Sequence, residues 1–493
     1  MKLADLLDGV GATAIRAERD LEITSVTADS RQVVRGSLFV AVPGLVVDGS
    51  SFIDQALERG AVAVVTERPL HRADAGVVEV RDARIALAVL AANFHGRPAE
   101  SLRLIGVTGT SGKTTTTKMV ESILDATGEP AGLIGTIEYR AGSVREIADR
   151  TTPDAVVLHR WFRRMVDEGV RYAVMEVSSH ALSLRRTWGV PFAAAVFTNL
   201  SRDHFDFHRD FEDYFAAKKL LFDQIDRSRP TAVVNGDDEY GARLAAELGP
   251  AAVTYGRGEE RAIHPEPGFE VSIRGLRGRL ATPAGPVEID SPLLGWPNLA
   301  NWMAAIGAAL AAGIEREAIE RGVRALRSVR GRFERVETGD DRAVLIDYAH
   351  KPDALEKLLR AVRELAPDRK LVVVFGCGGD RDAGKRPIMG GIAARLADRT
   401  IITSDNPRSE DPLVIIRQIE DGYREAGRDD CDTIVDRRAA IERAVDLAAA
   451  DTVVVVAGKG HETYQVVGDQ IVHFDDREEV ETALGKSVEK STC

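Results

Sequence analysis

Short apolar runs alternate with longer stretches of helical period along most of this chain. From Leu102 onward the runs Leu102–Thr108, Tyr172–Val177, Ala193–Thr198 and Thr231–Asn235 are rich in β-branched and aliphatic residues. Strands of this kind separated by helices predict βαβ units and a parallel sheet. A second such set begins near Gly331, with strands predicted over Ala343–Asp347, Lys370–Phe375, Arg399–Thr403 and Thr452–Ala457. Ahead of both, residues 1 to 100 read as a small α/β unit: a strand over Ser37–Val42, a helix over Phe52–Arg59, a strand over Ala61–Val65, and a closing turn at Gly96-Arg97-Pro98. Between the two larger blocks, Phe269–Asp290 alternates apolar and polar residues among glycines and prolines, which predicts an antiparallel excursion, and a helix is expected over Asn298–Ala312. The pattern predicts an α/β protein of three domains, 1–100, 101–331 and 332–493, without internal repeats.

Composition narrows the classes. A chain of 493 residues that is 44% hydrophobic has enough apolar material for several cores. Its net charge of -12 and its lack of any Lys/Arg block speak against nucleic acid as a partner. Cys377, Cys431 and Cys493 are far apart and lack metal-ligand spacing, so neither a disulfide framework nor a zinc site is expected. There is no leader-like apolar run after Met1-Lys2-Leu3-Ala4-Asp5, and no stretch of the roughly 20 apolar residues that spans a bilayer. The expectation is a cytoplasmic monomer without a membrane span.

The strongest local signal follows the strand Leu102–Thr108. Gly109-Thr110-Ser111-Gly112-Lys113-Thr114-Thr115 places two glycines, a lysine and a threonine where a strand turns into a helix. Glycines let backbone N–H groups approach phosphate oxygens, the helix start favours anions, Lys113 adds a cation, and Thr114 offers a hydroxyl to Mg2+. The general P-loop pattern wants a glycine where Val107 stands, so this is a shorter G-x-x-G-K-T form. Residues 101–331 are therefore expected to form a P-loop ATPase-like domain.

Other chemistry gathers at strand ends. Glu176 closes its strand ahead of Ser178-Ser179-His180, where an open α/β sheet collects ligands; it either holds Mg2+ or caps the next helix. His204, in Asn199-Leu200-Ser201-Arg202-Asp203-His204, is a candidate second metal ligand, or a solvated histidine. Lys218 lies among apolar neighbours in Tyr214–Phe222. A desolvated lysine loses its proton and can react with CO2 to give a carbamate, an anionic metal ligand; a solvated lysine with its stem on the core is the alternative.

These four motifs, the loop at Thr108–Thr114, Glu176–Leu182, Thr198–His204 and Tyr214–Lys218, resemble those of the Mur ligases, ATP-dependent amide-forming enzymes of peptidoglycan synthesis, in order and spacing. The resemblance implies that Lys113, Glu176, His204 and Lys218 are catalytic, with Lys218 as N6-carboxylysine, and that Thr114, Glu176, His204 and the carbamate hold two Mg2+ ions. It implies ATP contacts at Gly109–Thr115, Asn301, Arg332, Asp347 and His350, the last two in Asp347-Tyr348-Ala349-His350-Lys351-Pro352. It also implies a Rossmann-like third domain. Among family members the chain looks most like those that add the third peptide residue to UDP-N-acetylmuramoyl-L-alanyl-D-glutamate. Ser30 in Asp29-Ser30-Arg31, Leu45, Val46 and Val47 in the loop Gly44–Gly49, Thr151-Thr152, Ser178 and Arg186 match the contacts to that substrate. Leu184 departs, standing where some members carry glutamine.

Strand ends of the last block supply Gly376-Cys377-Gly378-Gly379-Asp380-Arg381-Asp382 and Asp405-Asn406-Pro407-Arg408. Alone, these read as a weak dinucleotide fingerprint and a turn. In the family, D-N-P-R resembles the signature of members that add meso-diaminopimelate, with Arg381, Gly458 and Glu462 as further contacts. A planar Arg408 fork suits the extra carboxylate of diaminopimelate, where lysine would bring an ammonium. The implied chemistry is an acyl phosphate formed from ATP and captured by the amine. A lysine-adding ligase, a folylpolyglutamate synthetase-like ligase and an ATP-gated binding protein are the competing readings.

Overall fold

The computed structural model describes residues 1–44, 47–72, 74–338 and 342–485. The chain forms two compact units. The first comprises Met1–His264, Ala281–Gly285 and Trp302–Gly322; the second comprises Pro265–Leu280, Pro286–Asn301 and the chain from Val323 onward.

The first unit holds two sheets. Among the described residues, a five-stranded sheet runs Ala14–Arg16, Gly76–Glu79, Ala61–Thr66, Ser37–Val40, Ser25–Thr27, with helix Ala83–Phe94 on its face. Leu38, Val40, Ala63, Val65 and Val78 pack there against Ala83, Leu87 and Leu90. The eight-stranded sheet runs Ala252–Tyr255, Ala232–Asn235, Phe192–Phe197, Arg103–Thr108, Tyr172–Glu176, Ala131–Ile134, Glu138–Ala141, Val144–Ile147. The strands from Ala252 through Ala131 are parallel and the last two form an antiparallel edge. Because Arg103–Thr108, Tyr172–Glu176 and Phe192–Phe197 are parallel neighbours, Thr108, Glu176 and Phe197 end on one rim.

The second unit carries a six-stranded sheet in the order Glu334–Val336, Ala343–Asp347, Thr452–Ala457, Lys370–Phe375, Arg399–Ile402, Asp432–Thr433, parallel except at its Glu334–Val336 edge. Val373, Val455 and Ile402 form its core with Leu359, Met389 and Ile416 of the covering helices. The expected antiparallel excursion is present as Glu270–Ser272, Gly275–Ala281 and Val287–Ser291.

Element limits differ from expectation in places. The first strand ends at Val40 instead of Val42, and the helix expected from Phe52 runs Ile53–Glu58 after a tight turn over Gly49–Phe52. The helix expected from Asn298 begins at Gly295, because Pro297 falls in its first turn, where a missing N–H costs nothing. Among the described residues no helix is long and apolar enough to cross a membrane. Cys377 and Cys431 are free thiols, and Cys493 lies outside the described residues.

Candidate functional site

The loop after Arg103–Thr108 turns on two glycines in positive φ, Gly109 (148°) and Gly112 (86°), and enters the helix Lys113–Asp125. A Cβ on Gly109 would overlap Thr198 Oγ1, so this position admits no side chain. The rim of the adjacent strand clamps the loop: Thr198 Oγ1 donates to Ser111 O (2.6 Å), Asn199 Nδ2 donates to Ser111 O (3.1 Å), and Ser111 N donates to Asn199 Oδ1 (3.0 Å). Lys113 Nζ curls back onto Gly109 O (2.9 Å) and Thr110 O (3.0 Å). No side chain caps the helix at Gly112, which leaves its positive end to an anion. Thr114 and Thr115 are buried in the first turn.

Glu176 is buried on the same rim. Its Oε2 accepts from Thr114 Oγ1 (3.0 Å) and Thr136 Oγ1 (3.1 Å), and its Oε1 accepts from Thr136 N (2.8 Å). The following helix is capped by Ser178, whose Oγ accepts from Ala181 N (3.2 Å), so Glu176 is not a helix cap. Lys218 is 1% exposed, which overturns the reading of a solvated lysine. Its Nζ donates to Gly109 O (2.8 Å) and lies 4.3 Å from the centre of the Tyr214 ring, while Tyr214 Oη reaches Thr110 Oγ1 (3.2 Å). Burial, helped by the charge of Lys113, holds the Lys218 ammonium well below the usual lysine range. His204 adopts a left-handed backbone (φ 57°), bonds through its amide to Asp203 Oδ1 (2.8 Å), and packs beside His180 and Tyr214.

The phosphate loop thus carries two groups of side chains: Lys218 on Gly109 O, with His204 reached through Tyr214, and Glu176 bonded to Thr114 at the start of the following helix. Hydroxyl and carboxylate oxygens are the hard donors that Mg2+ prefers. Among the described residues no three His, Cys, Asp or Glu side chains gather as a metal cluster. An amine-form Lys218 adds no oxygen donor; a carbamate there would. The structure adds roles for Thr136, Asn199 and Tyr214; Asn199 lies within the motif Thr198–His204 and Tyr214 one helical turn ahead of Lys218, while nothing in the sequence marks Thr136.

The residues matched to the muramoyl peptide also converge. Thr152 Oγ1 donates to Glu176 O (2.8 Å) and accepts from Ser178 N (3.1 Å); Arg186 Nη1 donates to Thr152 O (2.8 Å); and Thr151 Oγ1 lies 3.0 Å from Thr136 Oγ1. A cavity of about 340 Å³ opens beside them, lined among others by Val42, Gly44, Arg84, Asp154, Leu184 and Arg186. Leu184 therefore forms an apolar part of that wall. Ser30 is buried, its Oγ bonded to Gln55 Oε1 (2.6 Å), and Val47 is exposed. Leu45 and Val46 lie outside the described residues.

Two clusters occupy the second unit. In one, the Arg332 guanidinium lies 4.6 Å from the centre of the Tyr348 ring, which packs on His350 and His461. Asp347 accepts from Phe333 N (2.7 Å) and Ala349 N (2.8 Å), and burial raises its carboxyl above the ordinary range. Burial pushes His350 down to about 4, so it is neutral near pH 7. Asn301 belongs to the helix Gly295–Ala311 and to this unit. In the other cluster, Arg408 Nη1 donates to Gly379 O (2.7 Å) and Asn406 Nδ2 donates to Glu462 Oε2 (3.0 Å). Gly458 (φ 122°) leaves room for Asp405, whose Oδ2 lies 2.6 Å from where a Cβ would be. A Cβ on Gly379 would strike Pro407 O, and Arg381 Cγ lies 3.9 Å from a Cβ built on Gly378. All seven residues matched to the amine, Arg381, Asp405, Asn406, Pro407, Arg408, Gly458 and Glu462, are carried by this one unit.

A phosphate loop abutting a buried lysine and a carboxylate, on a parallel-sheet rim, is the equipment of an ATP-dependent ligase. Similarity to known proteins specifies the kind. Residues 22–95 match the Mur ligase family catalytic domain, 107–309 the Mur ligase middle domain, and 331–460 the Mur ligase glutamate ligase domain. The UDP-N-acetylmuramoyl-L-alanyl-D-glutamate–2,6-diaminopimelate ligase of Geobacter sulfurreducens is 44% identical, over 99% of each chain. That of Geobacillus kaustophilus is 45% identical over 97% of this chain and 98% of its own. A solved structure of a ligase of the same name superposes with a TM-score of 0.72 at 32% identity, covering 98% of this chain and 99% of that one. The chain belongs to the Mur ligase family.

Proposed function

We propose that this chain joins meso-2,6-diaminopimelate to the D-glutamyl γ-carboxylate of UDP-N-acetylmuramoyl-L-alanyl-D-glutamate at the expense of ATP, as a cytoplasmic monomer divided functionally at 1–100, 101–331 and 332–493. The observation that carries the ligase reading is Lys218, buried with its Nζ on the carbonyl of a phosphate-loop glycine. A lysine held neutral there reacts with CO2, forming an N–C bond and releasing a proton, and the anion that results lies at the phosphate loop. Thr114, Glu176, His204 and the Lys218 carbamate would hold two Mg2+ ions, which when bound neutralise charge on the phosphates.

The chain's own groups perform the remaining work. Lys113 exchanges its two loop carbonyls for phosphate oxygens and stabilises the charge that develops as the γ-phosphoryl group passes to the substrate carboxylate. Thr152, Ser178 and Arg186 orient the muramoyl peptide, with Ser30 and the segment Leu45, Val46 and Val47 at its nucleotide end. Asn301, Arg332, Asp347 and His350 contact the nucleotide. Arg381, Asp405, Asn406, Pro407, Arg408, Gly458 and Glu462 take the distal amino-acid group of diaminopimelate, Arg408 binding its carboxylate and Glu462 its ammonium. The other amine attacks the acyl carbon, phosphate leaves, and one proton is released.

The test is phosphate release with ATP and UDP-muramoyl dipeptide, comparing meso-diaminopimelate, L-lysine and no amine. Release that requires the dipeptide and prefers diaminopimelate is expected. Equal support by lysine, or release without the dipeptide, overturns this reading.

A further inference from the structure

The left-handed backbone of Arg408 (φ 54°) is one that an L residue keeps only when its surroundings impose it. Those surroundings are a short antiparallel hairpin, Tyr464–Val467 paired with Gln470–His473, which follows Gly458–Glu462 in the chain. Arg408 N donates to Val466 O (3.0 Å) and Gly468 N donates to Arg408 O (2.7 Å), so the hairpin grips both backbone groups of Arg408. Gln465 Nε2 donates to Asp405 O (2.6 Å) and Val466 N donates to Asn406 Oδ1 (3.0 Å).

Lys459 completes the grip from beneath. Its side chain has no exposed surface, and its Nζ lies 3.1 Å from Asn406 Oδ1 and 3.5 Å from Glu462 Oε2. Arg437, engaged with Asp476 through paired 2.7 Å bonds, also acts on Asp405 and Glu462, and Lys459 is the further cation set against them. It balances them only in part, and with Arg408 alongside, the cluster is complementary to an ammonium and a carboxylate borne on one carbon.

We propose that Lys459 and Gln465 are positioning residues for amine selection: Lys459 directly on Asn406, and Gln465 through the hairpin, hold Asn406 and Arg408 in the arrangement that accepts the second carboxylate of a diamino dicarboxylic acid. This rests on the ligase reading above and deepens it. A loop released from the hairpin lets Arg408 relax to a right-handed backbone and turns its fork away from the carboxylate. What is lost is the carboxylate–guanidinium contact, the term that separates diaminopimelate from lysine.

The experiment uses the full chain with Gln465→Ala, Lys459→Met and Lys459→Arg, measuring kcat, the KM of each substrate, and the ratio of kcat/KM for meso-diaminopimelate to that for L-lysine. Gln465→Ala and Lys459→Met are expected to raise the KM for diaminopimelate and lower the ratio by about tenfold, the scale of one hydrogen bond to a charged group, with the KM for ATP and for the muramoyl dipeptide unchanged within about twofold. Lys459→Arg is expected to restore most of the ratio. An unchanged ratio with a lower kcat, a joint rise of all three KM values, or Lys459→Arg as poor as Lys459→Met overturns the proposal. If Lys459→Met fails to fold, by circular dichroism, the half-buried Gln465 carries the test alone. A wild-type enzyme indifferent between the two amines overturns the proposed preference for diaminopimelate, whereas unchanged selectivity in Gln465→Ala overturns only this inference.

Discussion

Replacing Arg437 by leucine is expected to destabilise the second unit by about 4 kcal/mol. Neither Arg437 nor Asp476 has any exposed side-chain surface, and the two meet in a fork geometry, Nε to Oδ1 and Nη2 to Oδ2, both at 2.7 Å. Arg437 Nη2 also donates to Ala457 O (3.0 Å), at the end of the strand Thr452–Ala457. Leucine leaves a buried carboxylate uncompensated, worth roughly 3–5 kcal/mol, and strips a donor from that carbonyl. Native-state hydrogen exchange of the Val453–Val456 amides reads the effect as faster exchange by roughly two to three orders of magnitude, since each 1.4 kcal/mol is about tenfold. The double variant Arg437→Leu/Asp476→Leu removes the charge along with its partner and is expected to recover most of the loss. A single variant within about 1 kcal/mol of wild type, or a double variant no better than the single, would refute the argument that the lone charge is what costs.

Three further outcomes follow from other positions. Lys218→Met is expected to abolish ligation while leaving the fold intact; wild-type activity lost on CO2 depletion and regained with bicarbonate, with no such response in the variant, checks the carbamate. Gly109→Ala, whose Cβ overlaps Thr198 Oγ1, should displace the phosphate loop and weaken ATP binding by about tenfold or more in calorimetry, with the thermal midpoint of the second unit unmoved. His159 is buried with neither ring nitrogen hydrogen-bonded, and burial pushes it from 6.5 down to about 4. Its folded value lies below its unfolded one, so the stability it contributes is present above 6.5 and falls as pH drops toward 4, by up to about 1.4 kcal/mol per unit; urea titrations at pH 7 and 5 should show His159→Leu less acid-sensitive than wild type.

The sequence made the parallel strands legible because buried strands are continuous apolar runs, and it made the phosphate loop legible because glycine and lysine sit at fixed offsets from one of them. The edge hairpin Glu138–Ala141 and Val144–Ile147 is hard to read for the opposite reason: its buried stripe is little more than Tyr139 and Ala141, interleaved with charged residues that pair, Arg140 with Glu121 and Asp125 and Arg145 with Glu138. At the site, Lys218 stood among apolar neighbours, but burial to 1% depends on contacts distant in sequence. Thr136, Asn199 and Gln465 act through hydrogen bonds to partners distant in sequence, and such residues look ordinary in a linear reading.

The helix Gly295–Ala311 serves both compact units, its first residues counted with one and Trp302 onward with the other, and the chain has already entered the second unit at Pro265 before the first is finished at Gly322. Neither unit is therefore a contiguous piece of the gene. A fragment that stops at residue 264 lacks the last segment of the unit it is meant to contain, and one that starts at 323 lacks the antiparallel strands Glu270–Ser272 and Gly275–Ala281. During synthesis the first unit must wait, partly built, while the opening strands of the second leave the ribosome, so the order of assembly is interleaved and not sequential. Fusion partners, split reporters or domain exchanges are expected to succeed only at joints that respect this interleaving, and a chimaera cut once between the sheets would separate residues that fold together.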